Sequence, residues 1–274
     1  MNSFLASKPE GRIVLFGAPF DSTSSYRPGS RFGPQAIREA SHSLETFSPE
    51  QLLDLEECPF TDDHDLELPF GDPCPALDLI EQKAARVISH GGVPFLLGGE
   101  HLVSLGAIRA ASSMYPNLRV VHLDAHADLR DEYLGMRLSH ATVMRRVLDL
   151  VGQDRLHQIG IRSCTREEHE LSSRLSTTPE KVSLLAGENP CYLTCDIDIL
   201  DPSVLPGTGT PDPGGLSFRE LSNLLVSMIT RLRVVGMDIV ELSPGLDPSG
   251  VSAVVAAKLV RESLLALHRA PACG

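Results

Sequence analysis

The chain predicts an α/β fold built on one mainly parallel sheet with helices on both faces. Three observations carry that expectation. Short apolar, β-branched runs alternate with segments of helical period along the whole 274 residues. Gly, Pro, Ser and Asp clusters punctuate each change of period. No composition break or internal repeat divides the chain, and a 42% hydrophobic content suffices for one large core. Residues 1–274 are therefore expected to form a single domain.

The elements follow in order. Arg12–Gly17 is a strand, and a long turn-rich loop covers Asp21–Pro34. A loop of that length in a compact chain points to function. Gln35–Ser43 reads as a helix. Residues 54–74 carry eight acidic side chains among prolines and glycines, and read as a solvated surface segment. Pro75–His90 has helical spacing, with Leu77, Ile80, Ala84 and Val87 on one face, and Gly91-Gly92 ends it. Val93–Leu97 is a strand closed by Gly98-Gly99-Glu100-His101, and Leu102–Tyr115 is helical. Leu118–Leu123 is a buried strand leading into Asp124-Ala125-His126-Ala127-Asp128. A loop over 129–139 precedes a helix at His140–Val151, a strand at Leu156–Ile161 and a helix at Glu167–Arg174. Cys191–Cys195 is a strand running into Asp196-Ile197-Asp198, followed by a Pro/Gly-rich loop to Gly215. Ser217 and Glu220 make a capping box that opens a helix to about Arg231. Arg233–Val240 is a strand ending at Glu241. Ser249–Arg269 is a long helix with Val251, Val254, Val255, Leu259, Leu264 and Leu267 apolar.

Composition narrows the function classes. The net charge of −12 argues against nucleic acid, whose phosphates demand a basic face, and suits a small cationic substrate. Tryptophan is absent and aromatics are 5%, so a stacking surface for bases or sugars is not expected. No stretch of 18 apolar residues exists to span a membrane, and Met1–Glu10 lacks a signal-peptide core. The cysteines at 58, 74, 164, 191, 195 and 273 are scattered without zinc-finger spacing. They read as reduced thiols, and the expected location is cytoplasmic.

The chemistry lies where strands end. In an extended chain, residues 124, 126 and 128 point the same way as carboxylate, imidazole and carboxylate. Such a set repels itself or competes for protons unless a cation sits within it, and mixed oxygen and nitrogen donors suit manganese or zinc. Taken alone, the stretch reads equally as a polar strand end. His101, Asp124, Asp196 and Glu241, however, each follow a different predicted strand. Ligands in open α/β sheets bind beyond those carboxyl ends. Four strands delivering acids and histidines to one edge favour a metal site.

Gly98-Gly99-Glu100-His101, Asp124–Asp128, Asp196–Pro202 and Asp238-Ile239-Val240-Glu241 resemble, in order, the motifs of the ureohydrolase family of arginases, agmatinases and relatives. The likeness runs from Ile13 to the last helix. It implies a three-layer α/β/α fold and a site of two Mn2+ ions that hydrolyses a guanidinium group to urea and an amine. His101, Asp124, Asp128 and Asp196 would bind the first metal. Asp124, His126, Asp196 and Asp198 would bind the second, with Asp124 and Asp196 bridging. His140 resembles the family's active-site histidine, a proton shuttle. A trimer or hexamer is implied by resemblance only.

The chemistry is consistent with that assignment. Guanidinium carbon is a poor electrophile, so its attacker must be strong at neutral pH. Two divalent ions about 3.5–4 Å apart lower the pKa of a shared water. With four aspartates and a hydroxide, the filled site carries about one negative charge and attracts a cation. Glu241 is placed to pair with guanidinium nitrogens; the structural alternative is a salt bridge at the strand end. His140 titrates in the required range, though a histidine at a helix start can simply cap or pack. His122 shares a face with Asp124 and reads as packed or supporting.

Substrate choice must come from the loop Leu129–His140. Asp131 and Glu132 would repel a carboxylate, which suits agmatine, whose tail ends in an ammonium. Arg130 and Arg137 count the other way and would suit 4-guanidinobutyrate or another guanidino acid, with arginine third. The competing classes are an inactive metal-binding relative and a deacetylase-like hydrolase with one zinc.

Overall fold

The structure, a computed structural model, describes residues 3–270. The chain runs β1 (Ile13–Ala18), α1 (Gly33–Ser41), the two-residue strands β2 (Phe47–Ser48) and β3 (Leu53–Asp54), β4 (Phe60–Asp65), α2 (Pro73–Ser89), β5 (Val93–Gly98), α3 (Ser104–Met114), β6 (Arg119–Leu123), α4 (Val143–Val151), β7 (Leu156–Ile159), α5 (Arg166–Leu175), α6 (Pro179–Ala186), β8 (Pro190–Asp196), α7 (Phe218–Arg231), β9 (Arg233–Val240) and α8 (Val251–Arg269). Seven strands form one sheet in the order β4-β1-β5-β9-β8-β6-β7, every pairing parallel. Parallel strands need crossovers, and the helices between them supply these.

Strand period explains the three layers. Leu15, Phe95, Leu97, Leu193 and Met237 face one cluster, which α1, α7 and α8 complete through Ile37, Leu221, Leu225 and Leu259. The alternate residues Phe16, Leu96, Tyr192 and Val235 face a second cluster, completed by α2, α3 and α4 through Leu77, Ile108 and Val147. With both faces covered, the strands read as continuous apolar runs rather than alternating ones.

Several expectations need correction. Residues 54–74 are not a solvated segment throughout: Phe60–Asp65 is the edge strand β4, parallel to β1. Its acids are neutralised from a distant helix. Arg38 of α1, 1% exposed, donates to Asp62 through Nε (2.8 Å) and Nη2 (3.0 Å) and to Asp65 through Nη1 (2.5 Å). The helix α6 was not anticipated. In α8, Val251 and Val254 are exposed, at 51% and 38%. The capping box is as expected: Ser217 Oγ accepts from Glu220 N and Glu220 Oε2 accepts from Ser217 N. Cys58, Cys74, Cys164, Cys191 and Cys195 are free thiols; Cys273 lies outside the described residues. No helix among the described residues is long and apolar enough to cross a membrane.

Candidate metal centre

The four central strands β5, β9, β8 and β6 are neighbours, and their carboxyl ends bring the chemistry together. Glu100 and His101 follow β5, Glu241 follows β9, Asp196 ends β8, and Asp124 follows β6. Gly99 permits the crowding there, since a Cβ on it would strike the Phe20 carbonyl of the crossing loop.

His101 Nδ1 lies 3.0 Å from Asp124 Oδ2, 3.1 Å from Asp128 Oδ2 and 3.5 Å from Asp196 Oδ2. His126 Nδ1 lies 2.8 Å from Asp198 Oδ2 and 3.6 Å from Asp124 Oδ1. Extended-chain alternation carries from Asp124 to His126 but not onward. Asp128 reaches the cluster through a left-handed backbone, φ 53°, a conformation Asp tolerates better than most residues. Backbone amides hold the carboxylates: Asp124 Oδ1 accepts from His126 N (2.5 Å), Asp196 Oδ1 from Asp198 N (2.9 Å) and Asp198 Oδ1 from Ala125 N (3.1 Å).

These groups fit a divalent cation. His101 Nδ1 and Asp198 Oδ2 are buried yet make no hydrogen bond, although oxygens or nitrogens of the opposite type lie within about 3 Å. Their lone pairs converge on shared points instead of on one another. The charge balance agrees. Burial raises the Asp196 carboxyl well above the carboxylate range, helped by Asp198 and Asp124. Burial and then Asp124 push Asp198 up to about 6. Burial works to lower the histidines, yet Asp124 and Asp128 hold His101 well above its usual value, and Asp124 and Asp198 take His126 to about 12. A buried, self-repelling carboxylate set gathers protons on its imidazoles; a divalent ion would displace those protons.

His122 also lies in the cluster, but its neighbours exclude it as a ligand. Gln158 Nε2 must face the Ala127 carbonyl (2.8 Å), which only accepts, and Ser172 Oγ donates to Gln158 Oε1. The same Nε2 therefore donates to His122 Nδ1 (3.0 Å). The His122 proton sits on Nε2 and goes to Asp124 Oδ2 at 2.7 Å, leaving no lone pair for a metal. Gln158 was missed in the sequence, where a lone Gln inside a strand carries no signal.

Above the cluster lies a cavity of about 310 Å³ lined by Tyr26, Arg130, Tyr133, His140, Glu168 and Glu241 among others. Glu241 Oε1 accepts from His101 N at 2.7 Å, and burial beside Glu100 pushes its carboxyl up to about 8. His140 opens a short 3₁₀ turn ahead of α4, and burial lowers its imidazole despite Asp128. Glu100 is fully buried and raised to about 7 by burial against hydrogen bonds from Thr23 and Ser24.

The loop 129–139 departs from expectation. A turn pairing Tyr133 with Met136, with Leu134 and Gly135 at positive φ, folds Arg130 and Tyr133 inward. Asp131 points to solvent, bonded to Arg146 at 2.6 Å and 3.6 Å from Arg137. Asp131 and Glu132 line a neighbouring cavity that shares Arg130, Thr165 and Glu168 with the first. Arg130 stacks on Tyr133 at 4.7 Å, with Nε 3.9 Å from the buried Glu168.

The chain is similar to known proteins over nearly its full length. A profile of the arginase family matches residues 11–266. It is 42% identical to the agmatinase of Bacillus anthracis across 96% of this chain and 95% of that protein. It is 43% identical to the agmatinase of Bacillus subtilis, again across 96% and 95%. The crystal structure of the agmatine ureohydrolase of Thermoplasma volcanium superposes with a TM-score of 0.89 at 34% identity, covering 97% of this chain and 94% of that one.

Proposed function

This chain belongs to the arginase family, and from that premise we propose that it hydrolyses the guanidinium group of agmatine, releasing urea and putrescine, at a pair of Mn2+ ions. The observation that carries the reading is the convergence of six acid and imidazole side chains, with unhydrogen-bonded buried atoms among them, at the ends of β5, β8 and β6, with Glu241 beside them at the end of β9. His101, Asp124, Asp128 and Asp196 would hold one ion, and Asp124, His126, Asp196 and Asp198 the other. When bound, the ion pair supplies Lewis acidity and a water acidic enough to react at neutral pH.

The chain's own groups do the rest. The backbone of His101 fixes one Glu241 oxygen, leaving the other to pair with a guanidinium N–H. Glu241 is buried, and reduced contact with water strengthens that pairing. His140, on the cavity wall, exchanges the proton that the leaving amine requires. Glu168 lines the same cavity with its oxygens held by the Leu129 and Thr165 amides, and its charge faces that of Arg130 at 3.9 Å. Full-length likeness to agmatinases supports the same substrate.

Arg130 on the cavity wall favours a second reading, a guanidino acid such as 4-guanidinobutyrate. Urea release from agmatine, 4-guanidinobutyrate and arginine separates the two. On manganese-loaded protein, kcat/KM for agmatine is expected to exceed that for arginine at least about tenfold, roughly 1.4 kcal/mol of transition-state discrimination. Equal or reversed preference refutes agmatine as substrate while leaving the family standing. We further read residues 1–274 as a single catalytic domain that assembles as a trimer or hexamer and works in the cytoplasm. Sedimentation at micromolar concentration tests the assembly.

A further inference from the structure

Glu100 sits in the Gly-Gly-Glu-His stretch beside His101, and no step so far uses its side chain. It is fully buried, and both its oxygens accept hydrogen bonds from the loop after β1. Oε1 accepts from Thr23 Oγ1 at 2.7 Å, and Oε2 accepts from Thr23 N at 2.9 Å and Ser24 Oγ at 3.2 Å. Three donors on one carboxylate leave it purely an acceptor here.

That fact sets the direction of every bond beyond it. A threonine hydroxyl has one proton and two lone pairs. The Thr23 proton goes to Glu100. Thr23 Oγ1 therefore only accepts from its other two neighbours, His140 N at 3.0 Å and His140 Nδ1 at 3.4 Å. His140 Nδ1 must then carry a proton to meet it. On the far side of the ring, Ser25 Oγ lies 3.4 Å from Nε2 and 3.2 Å from the Tyr133 hydroxyl, and Tyr133 packs edge-on against the imidazole at 5.6 Å.

We propose that Glu100 and Thr23 form a positioning relay that fixes His140 as the Nδ1–H tautomer, leaving Nε2, which faces Ser25 Oγ on the cavity wall, as the atom that accepts a proton. The inference rests on the reading of His140 as the proton carrier. Nε2 takes up one proton from solvent water and delivers it to the leaving amine. Nδ1 keeps its own proton throughout. The logic is that of a histidine oriented by a buried carboxylate, with a hydroxyl interposed. The relay also ties the loop Asp21–Pro34 to the cavity wall, which accounts for part of that loop's length.

The decisive measurement is the tautomer. In 15N-histidine-labelled protein loaded with diamagnetic Mg2+, long-range 1H–15N correlations distinguish Nδ1–H from Nε2–H, and a His140→Asn spectrum assigns the signal. Nδ1–H is expected. Thr23→Val keeps the shape and deletes the hydroxyl. It is expected to lose that signature and to lower kcat of the manganese enzyme on the order of 10–100-fold, with KM changed by less than about twofold. Thr23→Ser is expected to restore both. An Nε2–H tautomer in the unaltered protein overturns the relay, and needs no variant that might misfold. Thr23→Val with unchanged tautomer and kcat overturns it too. His140→Asn with undiminished turnover would instead refute the shuttle role on which the proposal rests, a result distinct from either.

Discussion

Replacing Asp124 with Asn is the most direct perturbation of the candidate centre. Asp124 is fully buried, and both its oxygens are engaged. Oδ1 accepts from His126 N at 2.5 Å, and Oδ2 accepts from His122 Nε2 at 2.7 Å. A carboxamide must turn its NH2 toward one of those N–H groups, so one donor is left facing another. That alone costs about 1–3 kcal/mol. The larger effect is on cations, because Asp124 is the carboxylate shared by both proposed ions. Each ion at a hundredfold excess over its Kd stabilises the fold by about 2.7 kcal/mol. Two ions together amount to roughly 5 kcal/mol, and at about 2–4 °C per kcal/mol a chain of this size gains roughly 10–20 °C in Tm. The assay is thermal melting of metal-free and manganese-saturated protein, alongside metal content after dialysis and urea release. Wild type is expected to show the full shift. Asp124→Asn is expected to show a shift of a few degrees at most, fewer than two ions per chain, and no measurable turnover. A variant that retained two ions, the full shift and near wild-type urea production would refute the assignment of Asp124 as a shared ligand.

Other expectations follow from the same geometry. His140→Asn is expected to lower kcat by roughly 10–10⁴-fold with metal content unchanged; an unchanged kcat would reduce His140 to a packing residue. Arg38→Met leaves Asp62 buried with only the Phe4 and His64 backbone amides, so denaturant unfolding should show a loss of about 3–5 kcal/mol. Restoring most of it with Asp62→Asn would confirm that the stranded charge is the cause. Hydrogen bonds from the Ser249 and Ser252 hydroxyls lower Asp247 to about 2. Its folded value lies below its unfolded one, so its contribution is present above pH about 4 and is lost as pH falls through about 2. Asp247→Ala is therefore expected to cost about 0.5–1.5 kcal/mol at neutral pH through lost hydrogen bonds, and the difference in Tm from wild type should shrink on acidification. A constant difference would contradict the linkage.

The sequence by itself determined what is local and periodic. Strand and helix announce themselves through repeats of two and about 3.6 residues, and both sheet faces are buried, so β5, β6, β8 and β9 stand out as apolar runs. Acids and histidines directly after those runs needed no knowledge of strand order to be placed at one edge. The Ser217–Glu220 box likewise closes within four residues. The tertiary structure alone decided every question about which distant group meets which charge. β4 was hidden because its acids look solvated until Arg38, more than twenty residues away, is seen to neutralise Asp62. Asp131, Glu132, Arg130 and Arg137 left open which side of the loop each charge takes, and the fold pairs Asp131 with Arg146 while Arg130 lines the central cavity. His122 read as a packed or supporting residue, and Gln158, 36 residues on, decides which of its nitrogens carries the proton. Glu100 lies beside a proposed metal ligand in sequence, yet its carboxylate serves Thr23, 77 residues earlier. Periodicity is a property of neighbours along the chain, whereas the partner of a buried charge is set by packing across it, where a rotation of one turn exchanges solvent for a counter-ion.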